Sequence, residues 1–207
     1  MAKKTRNTTV SKKLILENAI KLFSTKGYGS SSMEELATMC GLNKAMIFYY
    51  FKNKQGLYDA VIEMVIDEIY QTVHHDEEKV QDPMAELEYF IKTYASFACV
   101  HPYLPALLLR ELSASGAAIS EKLFFKMRKL FVHFSDILRR GEEEGIFKDA
   151  IPMVLYFMVL GTINLIITTK PLRIKAQEIE GIDTCAQCDI NDMSEYLVKK
   201  IKKMLKE

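Results

Sequence analysis

The sequence predicts an all-α chain of about nine helices, and three observations predict it. Helix-forming residues dominate, while 9 Gly and 5 Pro in 207 residues are too few for the many turns of an all-β chain. Apolar residues recur three and four positions apart along most of the length, the period of a helix with one buried face. Residues that start and stop helices stand where those runs begin and end: Ser32, Asn43, Asn53 and Asp82 at the starts, Gly27, Gly41 and Gly145 at the stops. A hydrophobic fraction of 49% with 27% charged residues is that of a globular protein able to bury a core.

Residues 1–8 are polar and lack a core face, with Lys3, Lys4 and Arg6 as a basic tail. The first helix then runs from Val10 to Lys26 with Ile15, Ala19, Leu22 and Phe23 inward, and Gly27 stops it. Ser32 and Glu35 have the spacing of a capping box, in which the serine oxygen accepts one free N–H and the glutamate reaches back to the Ser32 amide. Met33, Leu36, Ala37 and Cys40 follow at helical spacing, Gly41 ends the helix, Leu42 plugs the turn, and Asn43 caps a second helix over about Lys44 to Tyr50. Two short helices joined by a tight Gly-containing turn are the layout of a helix-turn-helix.

The second helix carries the chemistry. Ile47 and Phe51 form its inward stripe, which leaves Lys44, Ala45, Met46, Phe48, Tyr49 and Tyr50 as a basic and aromatic set. Lysine bonds guanine edges or phosphates, small apolar groups lie against thymine methyls, and tyrosine hydroxyls reach phosphate oxygens. The alternative is that FYYF is the aromatic core of a small bundle. Charge favours the nucleic-acid reading. Residues 1–56 hold ten Lys or Arg against three acids, a local charge of +7, whereas the remaining 151 hold 18 basic and 24 acidic residues, −6, inside a total of +1.

Beyond Asn53, Leu57, Tyr58, Val61, Ile62, Val65, Ile66 and Ile69 extend a helix to about Val73, and His74, His75, Asp76, Glu77 and Glu78 read as its solvated end rather than a metal site. Asp82 then caps a helix with Pro83 at its first position, which carries Leu87, Phe90, Ile91, Tyr94, Phe97 and Ala98 to about Val100. His101 to Pro105 break it, and a short segment from Ala106 to Leu112 follows. Residues 117–144 form one long helix with Leu123, Phe124, Met127, Leu130, Phe131, Phe134, Ile137 and Leu138 inward. Residues 151–169 carry no charge, a membrane-span candidate by length, but Pro152, Gly161, Asn164 and three threonines interrupt them, and a buried or subunit-interface helix is expected.

Pro171 to Ile190 read as a loop holding Cys185-Ala-Gln-Cys188, which is half of a zinc site, a redox pair or an incidental pair. A structural zinc needs two further ligands, so no metal and no cofactor is expected. Cys40 and Cys99 occupy helix positions that want a small apolar group, pointing to reduced thiols, and no apolar signal segment follows the basic start, so a cytoplasmic setting is expected. The last helix opens at Asp192 with Glu195 three residues on, and sets Tyr196, Leu197, Ile201, Met204 and Leu205 on one face among lysines.

Residues about 12 to 58, with the run ILENAIKLFSTKGYGSSSMEELATMCGLNKAMIFYYFKNKQGLYDAV, resemble the N-terminal domain of the TetR family of bacterial transcriptional regulators. The likeness rests on LF…KGY, S-x-E-E-L-A, G-L-N-K, F-Y-Y-F-K-N-K and the following Leu57. It implies a DNA-binding domain over 1–55 and a helical ligand-binding and dimerisation domain over 56–207. Lys44, Ala45 and Met46 would face bases, Phe48 a base methyl, Tyr49 and Tyr50 the backbone, and Lys54 a phosphate, with Ser32 joining the DNA-contacting set. Ala45 and Met46 stand where the family often has Gly or Pro and then Thr, and Glu34 where some members are basic, so base preferences do not carry over.

The resemblance further implies a homodimer through 151–169 and 192–205, a palindromic operator, and a repressor released by a small hydrophobic or amphipathic effector. Tyr89, Tyr94, Phe97, His101, Tyr103, Phe124, Met127, Phe131 and Asn164 are the candidates to line its site. An enzyme is disfavoured, because no G-x-S-x-G, H-E-x-x-H, phosphate-loop or dinucleotide glycine pattern occurs. The remaining rival is a membrane-tethered DNA-binding protein that uses 151–169 as a span.

Overall fold

The computed structural model describes residues 2–74, 82–181, 185 and 188–206, with side chains from residue 12 onward. The expectations for His75, Asp76, Glu77 and Glu78, and for the side chains of Lys3, Lys4 and Arg6, fall outside the described residues. Among the described residues there are ten helices: α1 (Ala2–Ser30), α2 (Met33–Cys40), α3 (Lys44–Phe51), α4 (Lys54–His74), α5 (Pro83–Val100), α6 (Tyr103–Ser113), α7 (Glu121–Glu143), α8 (Pro152–Thr168), α9 (Lys170–Glu180) and α10 (Ile190–Met204). The chain divides into two compact units, one of residues 1–66 and 106–124, the other of 67–105 and 125–207.

The first unit is built on the inward stripes of α1 to α4. Ile15, Ala19, Phe23, Leu36, Ile47, Leu57 and Tyr58 are buried, each large apolar side chain contributing roughly 1.5–3 kcal/mol relative to exposure. Gly27 interrupts α1 with φ 79° and ψ 168°. The carbonyls that α1 leaves free before this kink are taken by an arginine from α6: Arg110 Nε donates to the Ser24 carbonyl at 3.0 Å and Nη2 to that of Thr25 at 2.6 Å. The next residue, Glu111, is buried and accepts the hydroxyl of Tyr58, whose ring meets those of Phe23 and Tyr28 edge-on at 5.0 and 4.9 Å. Burial first, and then the Glu111 carboxylate, push the Tyr58 hydroxyl well above its ordinary pKa, so it stays a donor.

In the second unit α5 lies against α10 and α8. Asp82 accepts the Ala85 N–H at 3.0 Å and Pro83 occupies the first turn, as the sequence indicated. Leu87, Phe90, Ile91, Tyr94 and Ala98 of α5 are buried, together with Phe134, Ile137 and Leu138 of α7, Val159 and Ile163 of α8, and Val198 and Ile201 of α10. Two charged groups tie the layers. Arg140 of α7 is paired with the buried Glu86, and Lys202 of α10 with Glu88.

Several expectations need correction. The segment after α8 is not a loop: Pro171 stands in the first turn of α9, where its missing N–H costs nothing, and Gly181 closes the helix at φ 65°. Helix α6 starts at Tyr103 because Pro105 is likewise tolerated in a first turn, and α7 starts at Glu121 rather than 117. Phe124 is 59% exposed, because the buried stripe of α7 passes through Leu123, Leu130, Phe134 and Ile137, and one residue's step turns a side chain by about 100°. Asp189, not Asp192, caps α10 by accepting the Asn191 N–H at 2.7 Å, and with Ser194, Val198 and Ile201 inward, Tyr196 and Met204 point outward. Cys99 is exposed rather than core. Among the described residues no single helix is long and apolar enough to cross a membrane, and only α8 and α9 taken together, bent by 56°, have the length and composition of a span.

Candidate nucleic-acid interface

The reading helix is positioned by its neighbours' backbone chemistry. Ser32 Oγ accepts the Glu35 N–H at 3.1 Å, but the Glu35 carboxylate pairs with Lys26 at 2.5 Å, so the serine half of the expected box forms and the glutamate serves α1 instead. At the other end of α2, the Leu42 N–H bonds the Ala37 carbonyl and that of Gly41 bonds Thr38, with Gly41 at φ 63°. This closure needs a left-handed residue, which glycine supplies without a Cβ clash. Asn43 Oδ1 then accepts the Ala45 N–H at 2.9 Å and opens α3.

After α3 the chain turns within two residues. Lys52 has φ 63° and ψ −50°, and the Asn53 N–H returns to the Phe51 carbonyl at 2.7 Å, a tight γ-turn that L-residues rarely adopt. Asn53 Oδ1 caps the next helix through the Gly56 N–H at 2.7 Å. A Cβ on Gly56 would lie 2.3 Å from the Phe51 carbonyl oxygen, so α4 can begin this close to α3 only with glycine there.

With Ile47 and Phe51 buried, Ala45, Met46, Phe48 and Tyr49 of α3 are exposed, Tyr49 to 80%. Tyr50 is half-buried, with its ring 5.4 Å from that of Tyr49. The lysines rim this face without joining the core. Lys44 is half-buried, 5.4 Å from the Phe48 ring centroid, and is ion-paired with Glu34, whose carboxyl the Lys44 hydrogen bond holds below its usual range. Lys54 Nζ donates to the Gly29 carbonyl at 3.2 Å and lies 4.6 Å over the Tyr28 ring. Lys52 is exposed and Lys12 lies 5.9 Å from the Phe51 ring. Lys44 and Lys54, expected to meet a base and a phosphate, each have a protein partner as well, ten and twenty-five residues away and beyond any local pattern. Arg110, Glu111 and Gln55, which hold α1 and α4 in place, were not singled out for the same reason.

The candidate effector residues fall into small groups. Tyr94 donates its hydroxyl to Asn164 Oδ1 at 2.9 Å between α5 and α8, with both side chains buried. The His101 ring lies 4.5 Å from that of Phe97, and His101 Nδ1 is 2.7 Å from the Tyr103 hydroxyl. Phe131 meets Tyr156 at 5.3 Å, while Tyr89 and Met127 are half-buried. Phe124 is exposed and belongs to the first unit. Cys185 and Cys188 are joined as a disulfide, and among the described residues no cluster of His, Cys, Asp or Glu has the makings of a metal site.

Residues 15–61, from within α1 to within α4, match the model of the bacterial regulatory proteins of the tetR family. The chain belongs to the TetR family. TetR-family membership makes it a DNA-binding transcriptional regulator rather than an enzyme. It is similar to the HTH-type transcriptional regulator RutR of Escherichia coli K12, 25% identical over 157 residues that cover 76% of this chain and 74% of RutR. Its fold is shared with the transcriptional regulator FadR from Bacillus subtilis in complex with stearoyl-CoA, at TM-score 0.70 and 18% identity over 93% of this chain and 98% of FadR. It is shared too with AibR in complex with isovaleryl coenzyme A and operator DNA, at TM-score 0.68 and 19% identity over 94% and 97% of the two chains.

Proposed function

We propose that this TetR-family protein is a cytoplasmic homodimeric repressor that binds a palindromic operator through α3 and is released by an acyl-coenzyme A thioester. One observation carries the DNA reading: Ala45, Met46, Phe48 and Tyr49 form an exposed apolar and aromatic face on a short helix that has spent its buried stripe on Ile47 and Phe51. Such a face, rimmed by Lys44, Lys52 and Lys54, fits a major groove flanked by phosphates. In this reading 1–55 is the DNA-reading domain and 56–207 holds the effector and the partner copy. Ser32 and Lys54 contact phosphate, Lys44, Ala45, Met46 and Phe48 face bases, and Tyr49 and Tyr50 reach the backbone.

A dimer is supported by α8. Val154, Phe157 and Leu165 are exposed on the side of α8 away from its buried stripe, and a Cβ on Gly161 between them would meet nothing within 4 Å. Tyr196 and Met204 of α10 are exposed as well. Two copies pairing these helices would bury an apolar surface in the range of a stable interface, above about 1,000 Å², and give two reading helices for two half-sites. The effector class is supported by the stearoyl-CoA and isovaleryl coenzyme A bound to FadR and AibR. In this reading Phe97, Met127 and Phe131 would wall the acyl chain and the buried Tyr94–Asn164 pair would be its polar handle.

Selection of bound fragments from random duplex DNA, followed by footprinting, tests the reading. It is expected to return a two-fold symmetric site that acyl-CoA thioesters of some chain length release. The Lys44→Ala and Tyr49→Ala variants are each expected to lose roughly 1–3 kcal/mol of operator affinity. An intact double variant that binds as tightly as the parent rejects the α3 assignment, and operator complexes indifferent to acyl chains of every length reject the effector class.

A further inference from the structure

The disulfide of Cys185 and Cys188 sits at a junction between the two helices whose exposed apolar residues support the dimer. Cys188 directly precedes Asp189, the cap of α10. On the other side, Arg173 of α9 bridges backwards: Nη1 donates to the Cys185 carbonyl at 2.6 Å and Nη2 to the Ile166 carbonyl in the last turns of α8 at 2.6 Å. One guanidinium thus ties the cysteine ring to the end of α8, while the ring itself ends at the start of α10. The ring is small, with Cα atoms 5.1 Å apart and the Cys188 N–H returning to the Cys185 carbonyl at 3.2 Å. Both cysteines are exposed. Cys185 holds φ 53°, a left-handed conformation that is uncommon and costly for a residue with a Cβ.

We propose that Cys185 and Cys188 are a reversible dithiol–disulfide site that sets how firmly the start of α10 is tied to the end of α8. A DNA-binding regulator works where the genome is, among reduced thiols, and there a pair of nearby cysteines is characteristically redox-responsive rather than structural. The oxidant is a low-molecular-weight disulfide, RSSR. One cysteine thiolate attacks it, forming a mixed disulfide and releasing RS−; the second cysteine thiolate displaces the other RS−, closing the Cys185–Cys188 bond. Two electrons pass to RSSR, and the two cysteine protons leave on two RSH. In the reverse direction the opened ring no longer holds Cys185 left-handed, its carbonyl turns off Arg173, and the first turn of α10 loses its anchor. The consequence for the dimer, but not the chemistry, rests on the dimer reading above.

The test equilibrates the purified full-length chain with mixtures of reduced and oxidised glutathione, traps free thiols by alkylation and counts them by mass. In parallel, amide exchange is followed over residues 190–194 and the dimer dissociation constant is measured. The expected result is loss of two alkylatable thiols as one step, with Cys185 and Cys188 protected and Cys40 and Cys99 free. Exchange in the first turn of α10 should be at least tenfold slower in the oxidised form. Arg173→Gln should still form the disulfide but abolish that difference, and Cys185→Ser/Cys188→Ser should match the reduced parent. Thiols that stay reduced at every ratio, exchange rates equal in both forms, or stoichiometric zinc bound through these cysteines would each overturn the proposal. A redox-dependent exchange difference with no change in dimer affinity would leave the dithiol site standing and reject only its link to the dimer.

Discussion

Lys44 shows how a residue's role depends on its neighbour. In the free chain it is matched by Glu34, so approach to DNA sets a phosphate or base edge in competition with that carboxylate. The pair is exposed and worth little to the fold, but the carboxylate also stands beside the face proposed to meet a polyanion. Glu34→Gln is therefore expected to tighten operator binding several-fold at low salt, with the gain shrinking as salt rises. Fluorescence anisotropy across a salt series reads it; unchanged or weaker binding would place Glu34 away from the DNA. Tyr58 and Glu111 show the same principle in the interior: the phenol of one donates to the buried side chain of the other, 53 positions along the chain.

At the scale of an element, α3 and α4 are joined by a turn that trades strain for proximity. Ala in place of Gly ordinarily helps a helix by about 0.5–1 kcal/mol. At Gly56 the contact with the Phe51 carbonyl reverses the sign, because the obstacle is backbone and cannot swing away. Gly56→Ala is expected to destabilise by about 1–3 kcal/mol, seen as a lower urea midpoint. Helix α8 presents the opposite case, a glycine with open space above it. Its exposed Phe157 stands in the middle of the face proposed to pair with a second copy, so Phe157→Glu is expected to convert the proposed dimer to monomer in sedimentation velocity while helix content is kept. A dimer of unchanged affinity would move the interface off α8.

For the whole molecule, pH reports on the second unit. Burial, with smaller contributions from His74 and Arg140, pushes His133 of α7 down to about 4, against a weak opposing pull from Asp136; burial lowers His74 of α4 as well. Their rings lie 4.2 Å apart, with Phe90 of α5 and Tyr70 of α4 around them. Between an unfolded value near 6.5 and the folded value near 4, the unfolded chain binds more protons than the folded one. Stability is thus full above about pH 6.5 and is lost as pH falls through that window. Urea midpoints at several pH values should show this limb, and His133→Gln should flatten it. An unchanged slope in the variant would assign the acid limb to other groups.

Local chemistry was enough for much of this protein. Capping at Ser32, Asn43, Asn53 and Asp82, the glycine kink at Gly27 and stop at Gly41, and the spacing of Ile47 and Phe51 are decided within one or two helical turns, so the helix-turn-helix and its outward face are legible in the sequence. The order of the downstream helices is legible for the same reason as far as α8, down to Pro83 in the first turn of α5, whereas α9 lies in a stretch that reads as a loop. What the tertiary structure alone decided is everything that depends on partners far along the chain: Glu34 on Lys44, Gly29 under Lys54, Arg110 on the end of α1, Phe124 turned out of its helix's core, and Cys185 tied to α8 through Arg173. A helical period states which residues share a face but not what that face meets. A hydrogen bond between residues 25 or 86 positions apart leaves no mark on either neighbourhood until the chain is folded.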